Sequence, residues 1–263
     1  MQRDNRRNRP TIERNEKESW IYGVNPVMEA LHSGRKIFAL YTLANTGHDH
    51  ARTVMDAARS QGVPVKTEDR KFFEDRFPKG HQGVAASLEP KKTVDIEELL
   101  EIPEQKGEVP FFIILDLIED PRNLGAVLRV ADAAGVHGVV YQSHRSAGIT
   151  PVTAKASAGA LEHVTMVEMV NIKHAIEKMK KADITIVGAE GGAGMSLWEC
   201  DMRGPLALVV GSEGEGLRRT VRDMCDQLVS LPMHGAVNSL NVSVAAGILA
   251  YEALRQRERG TST

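Results

Sequence analysis

The chain has 263 residues, a formal net charge of −2, 42% hydrophobic and 26% charged side chains, and only two cysteines, Cys200 and Cys225. Those values suit a soluble globular protein of one large or two modest domains, and two cysteines without metal-ligand spacing exclude a disulfide framework and suit a reducing compartment. The longest apolar runs, such as Phe111 to Leu115, are far too short to cross a bilayer.

Residues 1–18 are polar and locally basic, with Arg3, Arg6, Arg7, Arg9, Arg14 and Lys17 diluted by Asp4, Glu13, Glu16 and Glu18. A disordered solubilising tail and an RNA-touching arm both fit that pattern. No apolar stretch follows of the kind a secretory signal requires, so a cytoplasmic protein is expected. The overall charge argues neither for nor against nucleic acid, because binding depends on where positive charge sits.

Residues 19–90 alternate regularly. Trp20 to Gly23 reads as a strand, and Asn25-Pro26 opens a helix that stops at Ser33-Gly34. A strand over Ile37 to Leu43, a helix from about His48 to Gln61 and a strand over Pro64 to Thr67 come next. A brief helix over Arg70 to Phe77 and a strand over Gly83 to Leu88 complete a small α/β domain. His48 and His50 form a conceivable metal pair, but a solvated helix start explains them better and no metal is expected. Residues 91–108 are polar, contain Lys, Glu and Pro, hold one short helical pattern at Ile96 to Leu100, and read as a linker.

A second alternating block covers residues 109–259. Strands are expected at Phe111–Leu117, Gly138–Gln142, Thr165–Met169, Ile184–Gly188, Leu206–Val210 and Gln227–Leu231, with a long closing helix from about Ser239 to Arg257. Strands alternating with helices indicate an α/β fold with a parallel sheet covered on both faces.

Three segments of this block stand out. In Leu115 to Gly135 a strand turns into a helix capped near Asn123, with Leu124, Val127, Leu128 and Ala131 on its core face. Arg129 lies beside that stripe among small residues. It is either a surface arginine paired with Asp132 or a cation at a cleft. In Leu206 to Arg219 a buried strand ends in a loop with Gly211, Gly214 and Gly216, then a helix begins. Neither dinucleotide nor Walker spacing is present, and Glu213 and Glu215 stand where phosphates would sit. The loop is either a tight turn with acids favouring a helix dipole or a site for a phosphate-free, cationic ligand. In Val229 to Gly247 a strand breaks at Pro232 and Asn238/Ser239 open the last helix. Asn241, Ser243 and a run of small residues fit either a tightly packed helix or close approach by a ligand.

In this order the segments resemble the three motifs of the SPOUT class of RNA methyltransferases, in its SpoU/TrmH branch. The residues that carry the likeness are Asn123 to Arg129, Gly211 to Leu217, Leu231-Pro-Met233 and Ser239 to Ala245. Ile21 to Leu31 and His81 to Ala86 look like the start and end of the L30e-like domain that many such enzymes carry, so the likeness spans nearly the whole chain beyond the tail. Ser157 to Glu162 and the Arg-Gln-Arg ending resemble the group that methylates a guanosine ribose of 23S ribosomal RNA.

The resemblance implies a trefoil-knotted catalytic domain, which periodicity alone does not indicate, and a homodimer. It implies S-adenosyl-L-methionine as cofactor, held by main-chain groups at Gly211, Leu231 and Leu240 with Met233 adjacent. It implies catalytic roles for Arg129, Asn123, Glu213, Ser239 and Asn241. A guanidinium stays protonated, so Arg129 is expected to stabilise charge at the ribose 2′-oxygen and fix a phosphate rather than act as a base. The small domain and the Ser143 to Lys155 loop, with His144, Arg145 and Lys155, are the expected RNA contacts. A tRNA target, another rRNA nucleotide, a non-enzymatic RNA-binding protein and a nucleotide-dependent α/β enzyme are the alternatives.

Overall fold

The computed structural model describes residues 18–44, 49–144, 146–212, 214–237 and 239–260. The described residues divide into two compact units, the first ending at Pro90 and the second starting at Lys91.

In the first unit, β1 (Ser19–Tyr22), α1 (Val24–His32), β2 (Ile37–Leu43), α2 (Asp49–Ser60), β3 (Val65–Glu68), α3 (Arg70–Arg76) and β4 (Val84–Leu88) follow the expected alternation. The sheet order is β1-β4-β2-β3, with β4 antiparallel to both neighbours and β3 parallel to β2. A central strand has both faces covered, which is why all of β4 is buried. Tyr22, Phe73, Phe77 and Ala85 form an aromatic core on one face, with Trp20, Tyr41 and Phe72 partly buried around it. Asp69 starts α3 by accepting the Phe72 N–H at 2.8 Å.

The second unit opens with α4 (Ile96–Lys106), β5 (Phe111–Leu115), α5 (Pro121–Ala133), β6 (Gly138–Gln142) and α6 (Pro151–Ala156). It continues through β7 (Met166–Met169), α7 (Ile172–Lys181), β8 (Thr185–Ala189), β9 (Met195–Ser196) and β10 (Leu206–Val210), and closes with α8 (Arg219–Arg222), β11 (Gln227–Ser230) and α9 (Val242–Gly260). Its seven strands are all parallel, in the order β7-β6-β5-β10-β8-β11-β9. Strands covered on both faces read as unbroken apolar runs, and β5 (FFIIL) and β10 (LALVV) are buried at every position. From β5 the chain builds outward through β6 and β7, crosses to lay β8 and the edge strand β9 on the other side, and then inserts β10 between β5 and β8. That reversal opens a crevice at the carboxyl ends of β5 and β10, the usual place for a ligand in an open parallel sheet.

Four local expectations are corrected. Residues 91–108 are not a linker, because α4 is capped by Asp95, closed by left-handed Gly107, and buries Ile96 and Leu99 in the core of this unit. Its charged side chains lie on the exposed face, and Pro103 sits near its end, so its composition masks a packed helix. The cap of α5 is Asp120, which accepts the Arg122 N–H at 2.8 Å with Pro121 at the first helical position, and not Asn123. Residues 151–156 form α6, started by Thr150, rather than continuing a loop. The last helix begins at Val242, since Asn241 O accepts the Ala245 N–H at 3.0 Å.

Candidate functional site

Asp116, immediately after β5, has no exposed surface. Its carboxylate accepts the Arg218 backbone N–H at 2.9 Å and Arg218 Nε at 2.7 Å, and Arg218 Nη2 donates to Gln142 Oε1 at 2.8 Å. This half-buried pair, with Asp116 dry and Arg218 reaching solvent, ties the segment after the glycine loop to the ends of β5 and β6. Within the loop, Ser212 and Gly216 exchange both backbone hydrogen bonds at 3.1 Å. Gly214 and Gly216 have φ of 93° and 68°, the left-handed region that glycine adopts without penalty. Gly211 is glycine for another reason: a Cβ there would lie 2.2 Å from the Gly216 carbonyl carbon and oxygen.

Two adjoining cavities open at this crevice. The larger, about 690 Å³, is walled by Gly211, Leu231, Met233, Ser239 and Leu240 together with Glu190. The smaller, about 480 Å³, is bordered by Leu117, Asp120 and Asn123. Ser212, Glu215 and Val242 face both. Asn241 Nδ2 donates to Asn123 Oδ1 at 3.0 Å, joining the first segment to the third. Asn241 Oδ1 accepts Ser243 N at 3.0 Å and Ser243 Oγ at 2.6 Å, which holds that amide in place.

Gly211, Leu231, Met233, Ser239 and Leu240 therefore meet at one cavity, and Asn123 and Asn241 meet beside the other. Arg129 does not join them. It is exposed on α5, lines neither cavity, and forms no ion pair with Asp132 among the described residues. Glu213, Arg145, His48 and the basic residues of the tail lie outside the described residues. His144 is exposed, whereas Lys155 belongs to α6 and is partly buried, and burial pulls its ammonium below the ordinary lysine value. Among the described residues no group of His, Cys, Asp and Glu is placed to hold a metal, and no helix is long and apolar enough to cross a membrane.

The larger cavity is lined largely by glycines and apolar residues, with acid at Glu190 and Glu215. Glu190 Oε2 is sealed from solvent and has no hydrogen-bond partner among the described residues. A neutral main-chain wall for a flat base, with a carboxylate oxygen awaiting a donor, fits a nucleoside carrying a sulfonium better than it fits a polyphosphate. The sequence reading missed Glu190. The signal was present, since a lone acid directly after the largely apolar strand Thr185-Ile-Val-Gly-Ala189 marks a carboxyl end of the sheet.

Two family models match the chain. One described as SpoU rRNA Methylase family covers residues 110–251, and one described as RNA 2′-O ribose methyltransferase substrate binding covers residues 20–94. The Bacillus subtilis protein YacO, whose name places it in the TrmH family of tRNA/rRNA methyltransferases, is 41% identical over 92% of this chain and 97% of its own length. The 23S rRNA (guanosine-2′-O-)-methyltransferase RlmB of Escherichia coli K12 is 38% identical over 90% of this chain and 98% of its own. Among solved structures, the SpoU methyltransferase AviRb of Streptomyces viridochromogenes in complex with AdoMet superposes with a TM-score of 0.78 at 25% identity. That match covers 92% of this chain and 91% of AviRb.

Proposed function

The chain belongs to the SpoU rRNA methylase family and is an S-adenosyl-L-methionine-dependent RNA 2′-O-methyltransferase, and from that premise we propose that it methylates a guanosine ribose of 23S ribosomal RNA in a bacterial cytoplasm. Support for the target comes from relatives named for that reaction in Escherichia coli and Shewanella oneidensis, at 38% and 39% identity over at least 90% of this chain. The observation that carries the site is the convergence of the three sequence segments on two adjoining cavities, with the Asn123–Asn241 hydrogen bond beside the smaller one.

In this reading the larger cavity takes the cofactor through main-chain groups at Gly211, Leu231 and Leu240, with Met233 against it. S-adenosylmethionine, when bound, supplies the methyl group that ends on the ribose 2′-oxygen. The smaller cavity takes the ribose. A hydroxyl is a weak nucleophile near neutral pH, so the protein must stabilise the charge that develops as its proton leaves. Asn123, Asn241, Ser239 and Glu213 orient the sugar. Arg129, permanently charged, holds the neighbouring phosphate and the developing alkoxide. The knotted path belongs to the same reading, backed by the way Leu231, Met233, Ser239 and Leu240 share one cavity wall with the glycines of the loop.

Arg129 lines neither cavity of a single chain, and a homodimer formed through this unit accounts for that, one protomer's guanidinium serving its partner's pocket. An apolar stripe on α9 supports the pairing: Val244 and Tyr251, each 50% exposed and seven residues apart, flank Ile248 on one helix face. The amino-terminal unit engages folded or looped RNA, because a ribose hydroxyl must be presented free of the duplex. Its affinity falls as salt rises.

The name of the Bacillus relative includes tRNA, which keeps a tRNA ribose as the second reading. Mapping 2′-O-methylation across all stable RNA from a deletion strain, with and without the restored gene, separates the two. Loss and recovery of one methylguanosine in 23S RNA is expected. Recovery in tRNA alone would overturn the target.

A further inference from the structure

Glu190 follows β8, the strand beside β10, and borders the larger cavity. Its two oxygens are unequal. Oε1 faces Arg222 Nη1 at 3.5 Å, the limit of a hydrogen bond, while Oε2 is sealed from solvent and has no partner among the described residues. The nearest part of the loop is Gly216, where a Cβ would lie 3.3 Å from Oε2. Gly216 donates its N–H to Ser212 O at 3.1 Å, and Glu190 donates its own to Val229 O at 3.0 Å, so neither amide is free for the carboxylate. A carboxylate oxygen left dry and unpaired is costly and rare in a native fold. It is tolerated where a ligand completes it. Behind it, Gly191 and Gly192 present no side chain, and a Cβ on either would meet nothing within 4 Å, so space remains for a bulky group.

We propose that Glu190 accepts hydrogen bonds from the vicinal ribose hydroxyls of S-adenosylmethionine. The inference rests on the reading of the larger cavity as the cofactor site. The cofactor carries three kinds of donor: the adenine amine, the ribose diol and the α-ammonium. The ammonium is attached to the same carbon as its own carboxylate, so docking it on Glu190 would bring two anions together. The amine projects from a flat ring whose natural neighbours are the apolar walls at Leu231 and Leu240. The diol is neutral, offers two donors on adjacent carbons, and matches the two oxygens of one carboxylate. The terminal carboxylate torsion is broad and soft, and the 3.5 Å contact of Oε1 with Arg222 is loose, so the carboxylate can turn as a unit to present its oxygens to the cavity. Glu190 would thus select for the nucleoside end of the cofactor, away from the smaller cavity, which it does not line.

Calorimetric titration of the full chain with S-adenosylhomocysteine, and with its 2′,3′-dideoxy analogue, tests this on the wild type, Glu190→Ala and Glu190→Gln. Removing the diol from the ligand is expected to weaken wild-type binding by about ten-fold or more, as for loss of a charge-assisted hydrogen bond. Glu190→Ala should bind S-adenosylhomocysteine about as weakly as the wild type binds the analogue, and bind the two ligands alike. Glu190→Gln, which keeps one acceptor oxygen, should fall between. The ligand comparison on the wild type needs no variant, and thermal melts confirm that the variants fold. Losses that simply multiply, or an alanine variant that binds S-adenosylhomocysteine normally, would overturn the role of Glu190 while leaving the cofactor site standing. A wild type that binds neither ligand would overturn the cofactor reading of the cavity itself, and this inference with it.

Discussion

Asn241 donates its side-chain amide to Asn123 Oδ1 over 3.0 Å, although 118 positions separate the two in the chain. The other end of the Asn241 amide is taken up by Ser243, so its NH2 group is the part turned toward Asn123. One hydrogen bond thereby connects the first turn of α5 to the start of α9, at the edge of the smaller cavity.

If the two amides orient the ribose as a unit, their substitution effects will not add. Asn123→Ala and Asn241→Ala should each slow methyl transfer, and the double variant should be little slower than the worse single one, with a coupling on the order of 0.5–3 kcal/mol. Single-turnover rates on the RNA substrate measure this. Fully additive losses would separate the two residues.

Arg129 is exposed and packs against nothing that its loss would leave unpaired among the described residues. Arg129→Ala should therefore fold normally and bind S-adenosylhomocysteine as the wild type does. Methyl transfer should fall by about a hundred-fold or more, the usual effect of removing a group that stabilises developing charge. A large loss of cofactor affinity instead would contradict the assigned role. Mixing Arg129→Ala protomers with protomers disabled by Gly211→Ala should restore part of the activity if the guanidinium acts across a dimer.

Gly211→Ala drives a methyl group to within 2.2 Å of the Gly216 carbonyl, which is backbone and has no rotamer to escape into. The 212–216 turn must open. Overpacking of this kind costs about 1–3 kcal/mol, so the melting temperature should drop measurably. Cofactor affinity should fall further than stability, because the displaced loop is a wall of the cavity. Calorimetric titration alongside thermal melts checks both.

His137 is a buried histidine whose protonation works against the fold. Its Nδ1 accepts the Phe111 N–H at 3.1 Å, so the neutral ring carries its proton on Nε2, 3.0 Å from Glu108 Oε2. Burial lowers its pKa below the ordinary 6.5, and the Glu108 carboxylate offsets this only in part. The unfolded chain then takes up the proton first as pH falls, so stability contributed by the neutral ring is complete above about pH 7 and is lost as pH drops through and below 6.5. Denaturant midpoints taken from about pH 7.5 to about pH 5.5 should decline, and His137→Gln should flatten part of that decline. A slope unchanged by the substitution would assign the effect elsewhere.

Much of this protein is legible in the sequence because burial and turn chemistry are written locally. The unbroken apolar runs at Phe111–Leu115 and Leu206–Val210 announce strands covered on both faces, and both are buried throughout. Leu124, Val127, Leu128 and Ala131 lie on the buried face of α5 at helical spacing. Gly211, Leu231 and Leu240 could be singled out through the resemblance, and they line one cavity. The hidden elements were those whose local composition misleads. The charged face of α4 conceals Ile96 and Leu99, and Asp120 caps α5 where the more distinctive Asn123 draws attention.

Tertiary structure alone decided what lies beside what. That β10 returns to the flank of β5, and so brings Gly211 next to Asp116 and the 212–216 turn onto Glu190, depends on every strand pairing in the sheet at once. Side-chain type and spacing encode which face of an element is dry. Which distant partner dries it is settled by packing summed over the whole domain, and the cavities, the Asn123–Asn241 bridge and the unpaired oxygen of Glu190 exist only as products of that sum.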